Sequence, residues 1–262
     1  DGFTLGNANN TNQNTHTFVA WNWKAGGSST TNPSGGTITT TASVNTTAGF
    51  SVFTYTGNGS AAHIAHGLGV APTLVIIKGR SNSDNWFVKH PSLASNQYVY
   101  INSTGATASG SNVWSNTNPD ATKIYIGTDA GVNGSGETYV CYAFAEKQGY
   151  SKFGSYTGNG NADGTFIYTG FKPRWVLIRG TGSNRNWNII DSTRDTDNPA
   201  GDFLQANTNA TEDTSSVDID FLSNGFKPRV TSGRVNTQGE TYLYMAFGQS
   251  LVGSNNVPAT AR

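Results

Sequence analysis

The fullest cluster of chemistry-bearing side chains is Asp191-Ser-Thr-Arg-Asp-Thr-Asp197. Two carboxylates flanking a bond would suit glycoside hydrolysis, which makes Asp191 and Asp195, with Arg194 between them, candidates for binding or cutting a glycan. The stretch 101 residues earlier, His90-Pro-Ser-Leu93, has no acid. A loop ion pair of Arg194 with Asp191 or Asp195 is therefore favoured over catalysis, and it contributes little unless shielded from water. His63 and His66 are the one close histidine pair, but odd spacing on a strand sends their rings to opposite faces. No Cys, Asp or Glu stands near them at metal-ligand spacing. Asn159-Gly-Asn-Ala-Asp-Gly164 has the first half of a calcium loop, yet Gly170 occupies the place of the bidentate Glu. A plain turn is expected there, with Asp163 the one weak metal candidate, and no metal or cofactor is expected. Trp86, Trp114, Trp175 and Trp187 could stack on sugars. Trp86 and Trp187 share a register, which suits packing; Trp114, in a Ser- and Asn-rich loop, is the candidate for exposed contact. No Gly-rich phosphate loop, nucleophile elbow or Ser/His/Asp order emerges.

The elements that would position these groups are set by a repeat. Gly136-Glu-Thr-Tyr-Val-Cys-Tyr-Ala-Phe144 returns as Gly239-Glu-Thr-Tyr-Leu-Tyr-Met-Ala-Phe247, 103 positions on. Tyr55-Thr-Gly-Asn-Gly59 returns as Tyr156-Thr-Gly-Asn-Gly160, Ala71-Pro-Thr-Leu-Val-Ile-Ile-Lys-Gly79 as Lys172-Pro-Arg-Trp-Val-Leu-Ile-Arg-Gly180, and Asn85-Trp86 as Asn186-Trp187, all at an offset of 101. A period near 100 describes a domain duplication rather than a solenoid. As a strand, the closing stretch is apolar on both faces, so it is expected to be covered on both sides. Short alternating runs and turns every 8–12 residues predict an all-β chain of two tandem duplicated β-sandwich, jelly-roll-like units. Their expected bounds are 49–148 and 149–250, with a tail at 251–262. No amphipathic helix is expected, only single turns near 91–93 and 192–194. Thr15-His-Thr-Phe-Val-Ala-Trp-Asn-Trp23 is a looser form of the closing stretch, and Asp1-Gly-Phe3 parallels Asn224-Gly-Phe226. Residues 1–25 are thus expected to form a closing hairpin, left over from a preceding unit or completing a further one. Residues 26–48 read as a Gly/Ser/Thr-rich linker whose Thr37-Ile-Thr-Thr-Thr41 could form an edge strand.

Composition narrows the function classes. Of 262 residues, only 12% are charged, and the 16 basic and 16 acidic residues balance. No basic stripe offers a footing for nucleic acid, and no apolar run approaches the roughly 20 residues that span a bilayer. The 11% aromatic content can fill a core and argues against disorder. The single cysteine, Cys141, lies in an expected buried strand and reads as a core residue.

A set of motifs resembles a known family: Gly49-Phe-Ser51, His66-Gly-Leu-Gly69, Phe144-Ala-Glu146, Ser151-Lys-Phe-Gly-Ser-Tyr-Thr-Gly-Asn-Gly160, Tyr168-Thr-Gly-Phe-Lys-Pro173, Asp220-Phe-Leu-Ser-Asn-Gly-Phe226 and Tyr244-Met-Ala-Phe247, with the closing Val257-Pro-Ala-Thr-Ala-Arg262. Together they resemble uncharacterised domains common at the C-terminal end of tail-fibre-like and other virion proteins of marine bacteriophages. The resemblance covers essentially the whole chain; the family's usual Phe-Val-Ala-Trp-Cys-Trp reads Phe18-Val-Ala-Trp-Asn-Trp23 here. It brings no catalytic residues with it. It implies a non-enzymatic structural protein on the virion surface, a decoration or fibre module of head or tail. Other virion proteins are then its partners, and homo-oligomers, often trimers, are common. An adhesin recognising a host surface carbohydrate is the alternative, with Trp114 and the 191–197 loop as first contacts. A glycan depolymerase is a third reading.

Overall fold

The computed structural model describes residues 3–249 apart from Ser34 and Val217; the expected tail at 251–262 lies outside the described residues. The first half carries β1 (Ser29–Thr31), β2 (Thr40–Asn45), β3 (Phe50–Thr56), β4 (Ala62–Ala65), β5 (Leu74–Gly79), β6 (Phe87–Lys89), β7 (Gln97–Tyr100), β8 (Ala108–Ser109), β9 (Lys123–Ile126) and β10 (Thr138–Phe144). The second carries β11 (Ser151–Thr157), β12 (Ile167–Tyr168), β13 (Lys172–Gly180), β14 (Asn188–Asp191), β15 (Phe203–Gln205), β16 (Ile219–Leu222), β17 (Gly225–Pro228) and β18 (Thr241–Gln249). Three single helical turns complete the described elements: α1 (Asn9–Asn12), α2 (Ser111–Trp114) and α3 (Ala130–Asn133). The chain is an all-β sandwich, and among the described residues the ladders are antiparallel, with one isolated parallel bridge between Ile38 and Ile64.

Two large sheets carry the architecture. In the first, the order β3-β10-β5-β6-β7 forms the centre; in the second, β11-β18-β13-β14-β15 takes the same order. In both, the strand that comes last in sequence sits inside the sheet, β10 between β3 and β5 and β18 between β11 and β13. Each large sheet faces a small one across an apolar core. The first core lies under β4 and β9 and includes Phe53, Tyr55, Ile77, Tyr139 and Cys141. The second lies under β12, β17 and β16 and includes Tyr156, Ile178, Phe221, Phe226 and Tyr242. The large sheets then pack back to back through a third cluster, in which Leu74, Ile76 and Phe144 meet Trp175, Leu177, Met245 and Phe247. This stacking explains the two apolar faces of the closing strands: Tyr139, Cys141 and Ala143 serve the first core while Phe144 serves the shared one.

The two halves use the same local contacts. Tyr55 stands opposite Tyr139, and its hydroxyl donates to the Val132 carbonyl at 2.6 Å; Tyr156 stands opposite Tyr242 and donates to the Val235 carbonyl at 2.6 Å. The Asn58 N–H donates to Asn133 Oδ1 at 2.9 Å, and the Asn159 N–H to Asn236 Oδ1 at 2.9 Å. Gly57 and Gly158 pass so close to the closing turn that an added Cβ would meet the carbonyl oxygens of Gly134 and Thr237 at 2.3 and 2.2 Å. Only glycine fits such an approach.

Three boundaries differ from expectation. No hairpin forms among residues 3–25: α1 and a turn at 14–15 are followed by residues 16–25 outside any strand, with Trp21 and Trp23 packed on the shared cluster. Residues 26–48 are not a linker. Here β2 pairs with β3 over six residues and with β1 on its other side, and Ala42 is buried in the first core. The strand starts at Thr40 rather than Thr37 because Thr37 is held to the carbonyl of His63 instead. The helical turns fall at α1, α2 and α3, whereas 91–93 and 192–194 are non-helical turns.

Candidate functional site

The 191–197 loop is a braced turn. Asp191, at the end of β14, is almost wholly buried and accepts the N–H groups of Thr193 and Arg194 at 3.0 and 2.9 Å. It also accepts Arg194 Nε at 2.6 Å and Trp21 Nε1 at 3.1 Å. Burial alone would raise its carboxyl, but Arg194 and these donors hold it below the ordinary value. Arg194 also pairs with Glu212 and lies over the Trp21 ring, 5.7 Å from its centroid. Asp195 turns to the N–H groups of Gly201 and Asp202 at 2.6 and 3.2 Å. Asp191 and Asp195 therefore do not face each other across a groove. Asp191 joins the N-terminal segment to the second sheet, and of the two acids expected to pair with Arg194 it is Asp191 that does so, at 2.6 Å.

Trp114 is not exposed. It closes α2 and is 0% accessible within the first core, with the Lys89 ammonium 5.8 Å from its ring centroid. The turn at 111–114 folds the indole inward together with Val113, so it offers no surface contact. Trp187 is likewise buried, as expected of a packing residue, and donates Nε1 to the Tyr100 carbonyl at 2.8 Å.

The histidines hold backbone together. His66 Nδ1 accepts the Leu68 N–H at 3.2 Å, which leaves the proton on Nε2, facing the Asp120 carbonyl at 3.1 Å. His90 repeats this with Ser92 at 3.2 Å and crosses to the Tyr244 carbonyl of the second half at 3.1 Å. Burial pushes both imidazoles down, His90 to about 4, and pushes the Cys141 thiol up. Among the described residues no three His, Cys, Asp or Glu come together as a metal site, and no helix is long and apolar enough to cross a membrane.

Asp163 belongs to a different surface. It pairs with Lys227 at 2.5 Å and with Arg229 at 3.4 Å, and Arg229 reaches Asp220 at 3.4 Å. Lys227 and Arg229 hold its carboxyl below the ordinary value. These charges edge the outer face of the sheet β12-β17-β16. There Ile167, Phe226 and Phe221 point into the core, and Tyr168 and Phe166 stand outward, 63% and 44% exposed. Gly225, opposite Tyr168, leaves room for the Phe166 ring edge, 3.0 Å from where a Cβ would be. Two exposed rings beside charged hydrogen-bonding groups can take a ligand with an apolar face and a polar rim. Sequence reasoning missed this pair; the signal was the alternation Phe166-Ile-Tyr168 beside the Asn/Asp turn.

No curated protein and no solved structure matches the chain. Residues 1–250 match the model of a family described as Domain of unknown function (DUF7483), and the chain belongs to that family.

Proposed function

We propose that this chain is a non-enzymatic structural module of a bacteriophage particle, built from two copies of one β-sandwich unit and displayed on the virion surface as a decoration or fibre part. The resemblance of its motifs to virion domains motivates the reading. The observation that carries it is the state of the candidate chemistry: Asp191, Arg194 and Asp195 are engaged by their own loop, by Trp21, Glu212 and the backbone at 201–202, and Trp114 is walled into the core. What remains outside is a rigid scaffold with short polar loops, the arrangement in which loops carry contacts. Its partners in this reading are other virion proteins and further copies of itself. Mass spectrometry of purified particles tests it: the chain is expected at structural stoichiometry, and particles that lack it overturn the proposal.

A second reading, a carbohydrate-binding adhesin, is favoured by the outward Phe166 and Tyr168 with their rim of Asp163, Lys227 and Arg229. A glycan array is the test. Signal that disappears in Phe166→Ala and Tyr168→Ala supports it, and a silent array, or signal unchanged in both variants, removes it.

A further inference from the structure

Residues 6–23 have the backbone of a closing motif without the body it closes. In α1 the N–H groups of Thr11 and Asn12 donate to the Ala8 carbonyl at 3.0 and 2.8 Å. Val132 and Asn133 do the same to Asp129 at 3.1 and 2.7 Å, and Val235 and Asn236 to Ser232 at 3.1 and 2.8 Å. The side-chain amide of Asn12 donates six residues back, to the Gly6 carbonyl at 2.7 Å; Asn133 reaches Gly127 at 2.8 Å and Asn236 reaches Val230 at 2.9 Å. A turn follows in all three places, His16 N–H to Gln13 at 3.2 Å, Glu137 to Gly134 at 3.1 Å and Glu240 to Thr237 at 3.2 Å. The next residue to match is left-handed: Gly136 at φ 78°, Gly239 at φ 76° and Thr15 at φ 68°. A β-branched residue there is strained, so the conformation is held for a reason other than local preference.

The segment after that turn is half covered. Trp21 and Trp23 lie on the shared cluster, where Met245 and Phe247, and Tyr142 and Phe144, lie for the other two motifs. The last aromatic of each motif meets the other two: ring centroids are 6.3 Å apart for Trp23–Phe144, 5.3 Å for Trp23–Phe247 and 5.6 Å for Phe144–Phe247. The opposite face, Phe18, Ala20 and Asn22, is exposed, Phe18 by 50%. Its counterparts Tyr139, Cys141 and Ala143, and Tyr242, Tyr244 and Ala246, are each buried in the core of their own half. Asn12 and Thr11 are exposed as well. At the equivalent places Asn133 and Asn236 hold an opening turn, and the Val132 and Val235 carbonyls take a tyrosine hydroxyl.

We infer that residues 6–23 are the closing segment of a third unit, and that the exposed face is the seat of that unit's body. The partner is a β-sandwich of this same kind whose large sheet has a vacancy between the counterparts of β3 and β5, filled by 18–23. Its opening tyrosine donates to the Thr11 carbonyl and its opening turn binds Asn12. Its counterpart of β5 and β13 enters the apolar cleft of about 380 Å³ lined by Trp21, Trp23, Ile76, Tyr142, Leu177 and Met245. By the order of both halves, that body stands on the N-terminal side of the segment. Three units then surround the Trp23–Phe144–Phe247 contact with approximate threefold symmetry.

Hydrogen exchange on the chain and on two fusions tests this. One fusion places residues 149–229 directly ahead of Gly6, the other residues 49–126, so that each body meets the segment in the register of its own closing motif. The amides of 18–23 are expected to exchange freely in the chain, and ~100-fold or more slower in a fusion, approaching those of β10. A second pair of fusions carries Thr15→Gly and Phe18→Tyr, the residues both halves use there, which removes local misfit. Free exchange of 18–23 in all four fusions, whether or not the added body folds, overturns the inference. So does strong protection already present in the unfused chain.

Discussion

Lowering the pH should loosen the union of the two large sheets through His90. The imidazole is buried, accepts the Ser92 N–H on Nδ1 and donates from Nε2 to the Tyr244 carbonyl across the shared cluster. Burial pushes its pKa down to about 4, against about 6.5 in an unfolded chain. Between those values the unfolded state binds a proton that the folded state refuses, so stability is complete above about pH 6.5 and falls as the pH drops toward 4. Integrated from pH 7.5 to 4.5, this one group removes about 2.5 kcal/mol. Carboxylates held low, Asp191 among them, lose stability in the same direction, so the comparison must isolate the histidine. Urea unfolding of the wild type and of His90→Asn at both pH values does so. The variant starts less stable, through lost hydrogen bonds, but should lose about 2 kcal/mol less on acidification. Equal losses in the two proteins would refute the assignment of a buried neutral imidazole.

Other perturbations follow from the same contacts. Tyr55→Phe and Tyr156→Phe each orphan a buried carbonyl, and each should cost about 1–3 kcal/mol in denaturant titration, by similar amounts because the contacts match. Asp191→Asn should lower the unfolding midpoint by the equivalent of about 2 kcal/mol, since it strips the charge that holds Arg194 and Trp21; a midpoint unmoved by the change would argue against the bracing role. Burial pushes the Lys89 ammonium down to about 8. The folded state therefore releases that proton before the unfolded one does, and stability should rise by about 2 kcal/mol from pH 8 to 10. That rise should vanish in Lys89→Met, as chemical unfolding across this range would show.

Much of the architecture was legible because strands write their faces into alternate residues. The two-sided closing stretch announced a strand covered on both sides, and it is one, although nothing in a single periodicity names what covers it. The shared cluster of Phe144, Trp175 and Phe247 joins residues far apart in sequence and had no local signature. Trp114 misled because a single turn of helix gives no period, and its Ser and Asn neighbours look like a loop. The 26–48 stretch read as a linker that could hold an edge strand at 37–41, because polar β-branched residues serve strands and tethers alike; pairing of Thr40–Asn45 with both β1 and β3 decided the matter. At the candidate site spacing pointed to an ion pair of Arg194 with Asp191 or Asp195, and the fold selects Asp191. The outward Phe166 and Tyr168 were not, since an exposed aromatic and a core aromatic look the same until the sheet's inner face is known.

That the last strand of each half lies inside its sheet has a consequence for biosynthesis. At about 5–20 residues per second, β3 and β5 emerge from the ribosome several seconds before β10 arrives to join them. During that interval the nascent chain carries an open slot with two unpaired edges, and the second half reopens the same hazard with β11 and β13. Slow translation through 80–137 and 181–240 would lengthen the time those edges stay open.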